Sequence, residues 1–340
     1  MCEKRGGTLR DAEGRTVGYL RLSVTDRCTC RCVYCMPEGG VPLMGHGDVC
    51  SFEELTAIVE ALVARGVRKV RLTGGEPLVR RGIVDLVRML RAVPGVEELA
   101  LTTNAVLLAP LAEELAQAGL DRVNISLNSL DADRYRAITR GGRLEDALDG
   151  IRAAHAAGLT PLKLNCVLLG GVNDDEIPRM AAIAHDHAVD VRFIELMPIG
   201  EAASLPRECF IPASRVLEAV PELGPVSADG GEAGQAAGTC GSTSVEGVAE
   251  LYTAPGWKGR VGLIRPMSHR FCAGCTRLRL TADGRLKPCL HSADEVPLRG
   301  LSGQALEQEI ERALALKPAH HDMDGGRPSQ SARPMNRIGG

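Results

Sequence analysis

The sequence predicts an α/β fold: a partial (β/α)6 barrel of the TIM type, with a C-terminal β-hairpin and helix extension. Three observations predict it. Six short runs rich in Val, Ile, Leu and Thr recur between residues 19 and 198. Longer stretches with one apolar face separate them, and connections of that length call for parallel strands joined by right-handed crossovers. Polar residues fall at the carboxyl ends of successive strands, at Gly74–Glu76, Thr102–Asn104, Ser126–Asn128 and Glu195. That rim is where α/β barrels place their chemistry. Pattern alone does not separate the partial barrel from a doubly wound sheet.

Taken in order, the strands are Tyr19–Thr25, Lys69–Pro77, Glu98–Asn104, Arg122–Asn128, Leu162–Leu169 and Val191–Pro198. Between the first two, FEELTAIVEALVARG is amphipathic. Ser51 opens it with Glu54 three residues on, a capping box. APLAEELAQAG follows the third strand with Pro110 at the helix start, where a missing N–H is tolerated. ADRYRAIT and LEDALDGIRAAHAAG precede the fifth strand, and EIPRMAAIAHDHA follows it. After Pro198 the theme stops. Residues 224–247 are rich in Gly, Ala and Ser and predict a flexible surface loop. RVGLIRP follows, then a cysteine pair and RLRLTADGRLKPCL, where ADG between strand-like runs predicts a hairpin. LSGQALEQEIERALAL is a late helix. Residues 317–340 have no periodicity and predict disorder on composition. The expected organisation is an N-terminal extension (1–18), a barrel (19–200), a C-terminal region (201–316) that includes the 224–247 loop, and a tail (317–340).

A net charge of −3 over 340 residues gives no reason to expect a nucleic-acid or membrane partner. The start, MCEKRGGTLR, has no apolar run, and no window approaches 18 apolar residues, so neither a leader nor a membrane span is expected. The expected address is the cytoplasm. There, clustered cysteines point to metal ligands or redox groups rather than disulfides, and this chain has twelve cysteines.

Four of them fall within SVTDRCTCRCVYCMP. The favoured ligand spacing is Cys28-x3-Cys32-x2-Cys35, in the loop leaving the first strand, with Cys30 pointing away as packing. Three thiolates leave a fourth coordination position open for chemistry, whereas a closed structural site takes four protein ligands. An open iron–sulfur site and a structural zinc site are both readings of this spacing. A second set, Cys272-x2-Cys275-x13-Cys289, is also three, with His291 as the residue that would complete a zinc ribbon. Arg277 and Arg279 alternate beside it, and Arg21, Arg71, Lys163 and Arg192 sit on or beside the barrel strands. Cations on adjacent strands form a funnel for a polyanion such as a triphosphate. The glycines of GGEP (Gly74–Pro77) permit close backbone approach, and Glu76 can accept from an ammonium group.

The cysteine triplet with Tyr34 before its last member, followed by GGEP at the next strand end, resembles the radical S-adenosylmethionine superfamily. In more detail the chain is similar to the GTP 3′,8-cyclase family of that superfamily, from about Tyr19 to Gly340. The motifs are LRLSVTDRC, YCMPEGG, RLTGGEPLVRR, TTN, RVNISL, GVNDDEI, RFIELMPIG, FCAGCTRLRLTADGRLKPCL and the closing IGG. The resemblance implies a lyase that makes 3′,8-cyclo-7,8-dihydro-GTP, the first step of molybdenum cofactor biosynthesis. It would use two [4Fe–4S] clusters and S-adenosylmethionine as source of a 5′-deoxyadenosyl radical that abstracts the 3′ hydrogen of GTP. Cys28, Cys32 and Cys35 would hold the first cluster, and Cys272, Cys275 and Cys289 the second. Tyr34, Gly75, Ser126 and Met197 would contact S-adenosylmethionine. Arg21, Arg71, Thr102, Lys163, Arg192 and the Arg277–Leu278–Arg279 segment would contact GTP. Arg277, Arg279, Gly339 and Gly340 would act in catalysis, the glycine pair reaching into the active site despite the tail's composition. The implied partners are a low-potential donor of flavodoxin or ferredoxin type and cyclic pyranopterin monophosphate synthase as recipient of the product. A homodimer is allowed. Asn128, Ala105, Thr276 and Arg270 depart from the family's usual residues.

Overall fold

Alternation along the strands sets the architecture. In β1 (Tyr19–Ser23), β2 (Lys69–Thr73), β3 (Glu98–Thr103), β4 (Arg122–Ser126), β5 (Lys163–Leu168) and β6 (Asp190–Glu195), every second residue is buried and, apart from Thr103 and Glu195 at strand ends, apolar. Leu20, Leu22, Val70, Leu72, Leu99, Leu101, Val123, Ile125, Leu164, Val191 and Phe193 form one core with the helices. Burying each such side chain is worth about 1.5–3 kcal/mol, which outweighs any local preference. The alternate residues, Arg21, Arg71, Thr102, Asn124, Lys163 and Arg192 among them, face the other side of the sheet and line a concave lumen.

The computed structural model describes residues 7–226, 248–323 and 327–339. The remaining strands are β7 (Gly224–Pro225), β8 (Glu250–Thr253), β9 (Arg260–Ile264), β10 (Arg277–Leu280), β11 (Arg285–Lys287) and β12 (Val296–Pro297). All twelve form one open sheet in the order β12-β11-β10-β1-β2-β3-β4-β5-β6-β9-β8-β7. The six-stranded expectation is therefore extended on both sides. RVGLIRP supplies β9, parallel to β6, and the first arm of the hairpin supplies β10, parallel to β1.

The helices are α1 (Phe52–Ala64), α2 (Ile83–Arg91), α3 (Ala112–Gln117), α4 (Ala132–Thr139), α5 (Leu144–Ala156), α6 (Ile177–Asp186), α7 (Arg215–Ala219) and α8 (Gly303–Ala315). The capping box on α1 is formed: Glu54 N–H donates to Ser51 Oγ (3.1 Å) and Ser51 N–H to Glu54 Oε2 (2.7 Å). The second crossover helix, α2, was not singled out from the sequence; Gly82 (φ 78°) precedes it and no side chain caps its start. No helix among the described residues is long and apolar enough to cross a membrane. In the 224–247 stretch, Gly224 and Pro225 pair with β8, and residues 227–247 lie outside the described residues.

The tail departs most from its composition. Asn336 and Ile338 are each only 1% exposed. Arg333 grips both carboxylates of the hairpin region, with Nε to Glu295 (2.7 and 2.9 Å) and Nη1 and Nη2 to Asp283 (3.0 and 2.7 Å). Such paired guanidinium–carboxylate bonds tie down a segment that local propensity leaves unstructured.

Glu195, at the end of β6, is 2% exposed and faces outward, unlike the rim role its position suggests. Its carboxylate accepts from Ala213 N–H (3.0 Å), Met267 N–H and Ser268 N–H (both 2.9 Å), and the Ser268 hydroxyl. It thereby fixes the approach to the second cysteine set. Glu195→Ala strands several buried donors, so a loss of about 2–4 kcal/mol is expected. A lowered urea midpoint at unchanged m-value checks it.

Candidate active site

The two cysteine sets stand at opposite mouths of the lumen. Cys28–Cys35 follow the carboxyl end of β1. Cys272 and Cys275 precede the amino end of β10, which runs parallel to β1 with Tyr19 opposite Arg277. β11 returns antiparallel, Lys287 opposite Arg279, and so delivers Cys289 to the same mouth as Cys275. Five strand residues at ~3.3 Å each put ~16 Å of wall between the mouths.

At the first mouth, the end of β2 presses on the exit of β1. Gly75 N–H donates to Thr25 O (2.8 Å) and Glu76 N–H to Arg27 O (2.7 Å). A Cβ on Gly74 would lie 2.6 Å from Thr25 O, and one on Gly75 would overlap the Arg27 carbonyl. The paired glycines are thus demanded by backbone contact. Glu76 corrects the expectation that it meets an ammonium group. Its oxygens turn away to accept from Leu78 N–H (3.1 Å), Thr103 Oγ1 (2.8 Å) and Asn104 N–H (2.7 Å). Burial raises its carboxyl to about 7 despite those bonds.

The carbonyl end of α4 anchors the cysteine loop, with Arg31 N–H on Thr139 O (2.8 Å) and Val33 N–H on Ile138 O (3.0 Å). Cys28, Cys32 and Cys35 are half-buried, while Cys30 is 1% exposed. Cys30 was expected to point away from the other three, but it stays beside Cys28: its N–H donates to Cys28 Sγ (3.4 Å), and Asn104 Nδ2 donates to both Cys30 Sγ (3.4 Å) and Cys28 Sγ (3.8 Å). Hydrogen bonding to Cys30, and then burial, raise the Cys28 thiol; burial raises Cys35 to about 12. Tyr34, Gly75, Ser126 and Met197 all sit on this rim. Asn128 donates to Tyr34 Oη (2.9 Å) and accepts from Val167 N–H (2.9 Å), two bonds that give its amide a use. Ala105 holds φ at 65°, a backbone region that favours glycine, and is fully buried.

Inside the lumen, register places Arg279, Arg21 and Arg71 side by side on β10, β1 and β2. Thr102, Asn124 and Lys163 form a second row, and Asn165 and Arg192 adjoin on β5 and β6. Arg71 Nε, Thr73 Oγ1, Thr102 Oγ1, Asn165 Oδ1 and Arg192 Nε are buried without a hydrogen-bond partner. The unmet arginine N–H and threonine hydroxyl donors among them, in a cationic cavity, are a physical demand for an anion. Burial, with Arg192 and Arg122 nearby, brings the Lys163 ammonium down to about 7. Burial lowers Arg192 and Arg279 to about 10. Leu278 differs from its neighbours: it is fully buried on the helix-facing side and can reach the lumen only through its main chain. Gly339 lies against Thr73, where any Cβ would overlap the hydroxyl, and its carbonyl accepts from Arg279 Nη1. Gly340 lies outside the described residues.

Sequence reasoning missed Arg122, Asn124 and Asp190 on this face. Asp190 orders the cations, with contacts to Arg260 (2.9 Å), Arg192 (3.4 Å) and Lys163 (3.9 Å). Their parity with Arg192 and Lys163 along the strands was the available signal.

At the second mouth, burial alone would raise Cys275, but Arg277 and Lys317 outweigh it and bring the thiol to about 6. His291 packs edge-on against His321 (centroids 5.0 Å apart), and burial lowers its imidazole to about 3. Among the described residues, no group of three His, Cys, Asp or Glu side chains is arranged around a single ion. A four-iron cluster spaces its thiolates more widely than one zinc ion does.

A parallel barrel with CxxxCxxC after its first strand and GGEP after its second defines a radical S-adenosylmethionine protein. Residues 22–184 match the Radical SAM superfamily and residues 189–323 match Molybdenum Cofactor Synthesis C. The chain belongs to the GTP 3′,8-cyclase family. It is 47% identical over 335 residues to GTP 3′,8-cyclase of Peptoclostridium acidaminophilum, covering 98% of both chains. It is 45% identical over 337 residues to that of Moorella thermoacetica, covering 98% of this chain and all of the other. Among solved structures, Streptococcus suis SuiB bound to S-adenosylmethionine shares the fold, with a TM-score of 0.60, 14% identity, and coverage of 90% of this chain and 68% of that one.

Proposed function

We propose that the protein is a radical S-adenosylmethionine GTP 3′,8-cyclase, converting GTP to 3′,8-cyclo-7,8-dihydro-GTP at the start of molybdenum cofactor biosynthesis. The observation that carries this reading is the pair of three-thiol sets at opposite mouths of one cation-lined lumen. Cys28, Cys32 and Cys35 would hold one [4Fe–4S] cluster; Cys272, Cys275 and Cys289 would hold the other. When bound, the first cluster and S-adenosylmethionine supply a 5′-deoxyadenosyl radical for abstraction of the GTP 3′ hydrogen.

The protein's own work is binding, aiming and shielding. Tyr34, Gly75, Ser126 and Met197 hold S-adenosylmethionine at the first mouth. Arg21, Arg71, Thr102, Lys163 and Arg192 receive the triphosphate, meeting donors that are otherwise unpaired on Arg71, Thr102 and Arg192. Arg277 and Arg279 reach the nucleotide from the second mouth. The Gly339 carbonyl, fixed by Arg279, closes the lumen between the rims and keeps water from the reacting ribose. Delivery of one low-potential electron per cleavage supports a flavodoxin- or ferredoxin-type partner, and an unstable cyclised product supports hand-over to cyclic pyranopterin monophosphate synthase. A cytoplasmic address and a homodimer complete this reading.

The test is anaerobic purification and reconstitution, then incubation with S-adenosylmethionine, GTP and dithionite. About eight irons and eight sulfides per chain, with 5′-deoxyadenosine and the cyclised nucleotide formed together, are expected. Stoichiometric zinc and no turnover would overturn the assignment.

Lys163 adds a pH signature. Its free-protein value of about 7 lies below that of an ordinary lysine, and a bound triphosphate favours the charged form. Binding therefore takes up a proton above pH 7, and GTP affinity falls by up to about tenfold per pH unit from 7.5 to 9. Titration calorimetry in buffers of different ionisation heat measures the uptake; Lys163→Met is expected to flatten the slope.

A further inference from the structure

Lys317 lies one residue beyond the C-cap of α8, at the start of the segment whose composition suggested disorder. It is 4% exposed. Its Nζ donates to Cys275 Sγ (3.7 Å), Arg277 O (2.9 Å) and Pro288 O (2.9 Å). An ammonium has three N–H bonds, and three acceptors surround this one. The acceptors are not equivalent. Two are carbonyls from the two arms of the hairpin, one flanking Cys275 and the other next to Cys289. The third is the Cys275 sulfur itself. Arg15 makes a parallel clasp without touching sulfur, donating to Cys272 O (2.9 Å) and Pro318 O (2.8 Å). The structure thus separates a purely mechanical tie, Arg15, from a buried cation placed directly on a thiol of the second set.

We propose that Lys317 is a positioning residue of the second iron–sulfur cluster that also sets its charge balance, pinning the Cys275 thiolate and favouring the reduced cluster. This rests on the reading that Cys272, Cys275 and Cys289 hold a cluster. Reduction adds one negative charge to the cluster, and a buried ammonium on a ligand sulfur stabilises that charge; hydrogen bonds and charge at the sulfurs are among the terms that set such potentials. Guanine nucleotide meeting the open face of that cluster would then encounter electronics fixed by a residue outside the cysteine motif.

The experiment uses the full chain with Cys28, Cys32 and Cys35 all changed to alanine, so that only the second cluster is present. Its midpoint potential is measured by electron paramagnetic resonance during redox titration, with Lys317, Lys317→Met and Lys317→Arg. Lys317→Met is expected to lower the ratio of reduced to oxidised cluster at a given potential by at least about tenfold, a shift of about 59 mV for one electron. Lys317→Arg is expected to restore most of it. Selective loss of the cluster from Lys317→Met, with retention in Lys317→Arg and an unchanged melting temperature, supports the same role. An unmoved potential overturns the proposal, as does equal damage by both substitutions, which marks packing alone. Absence of any cluster from the Lys317-containing protein overturns the assignment of the second set itself, and the proposal with it.

Discussion

Cys32→Ala is expected to abolish reductive cleavage of S-adenosylmethionine and to halve the iron, from about eight to about four per chain. The loop supplies three half-buried thiols held by α4 and by the end of β2. Removing one leaves two ligands, too few to retain a four-iron cluster with an open position. The second set, at the opposite mouth of the lumen, is expected to keep its iron. Cys30→Ser is the control. Cys30 is the buried member of the four and packs toward Gly142, where a Cβ would come within 3.2 Å of its sulfur. A serine there is expected to leave iron and cleavage nearly unchanged. Iron and sulfide analysis with a 5′-deoxyadenosine assay checks both; loss of iron in Cys30→Ser would mean that the ligand triplet has been misassigned.

Arg279→Ala is expected to cut cyclisation by about 10²–10³-fold while S-adenosylmethionine cleavage continues. Arg279 is 6% exposed, stands beside Arg21 on the next strand, and donates to the carbonyls of Ile338 and Gly339. Its loss removes a charge from the nucleotide's cradle and frees the tail at once. Both clusters are expected to remain. The diagnostic outcome is uncoupling, with 5′-deoxyadenosine formed in excess of cyclised nucleotide. Equal loss of both products would place Arg279 in first-cluster assembly instead.

The parallel strands and the rim were legible because alternation and turn chemistry are local properties. Arg21, Arg71, Lys163 and Arg192 could be placed on strands, and the register shows why they converge. Arg122, Asn124 and Asp190 were equally legible by parity, yet polar residues at strand starts resemble solvated ends. Strand β9 was hidden because its partner β6 is distant in sequence. Glu76 and Glu195 show the limit of rim reasoning: a carboxylate at a strand end can serve the backbone behind it. The tail was illegible by composition because its order comes from Arg333, Asn336 and Arg279, each satisfied by groups far away in the chain. Only the family resemblance placed Gly339 in the lumen.

The pairing of β1 with β10 has a consequence for biosynthesis. Residue 19 finds its neighbour at residue 277. At 5–20 residues per second, a ribosome needs roughly 13–50 s to deliver that strand. Through that interval the nascent barrel carries a bare, parallel-type strand edge, with a thiol-rich loop at its tip. Such edges recruit other chains, and late-closing contacts slow folding. Yield is therefore expected to improve when translation is matched to chaperone supply, and truncations that stop before Arg277 are expected to aggregate rather than fold as an isolated barrel.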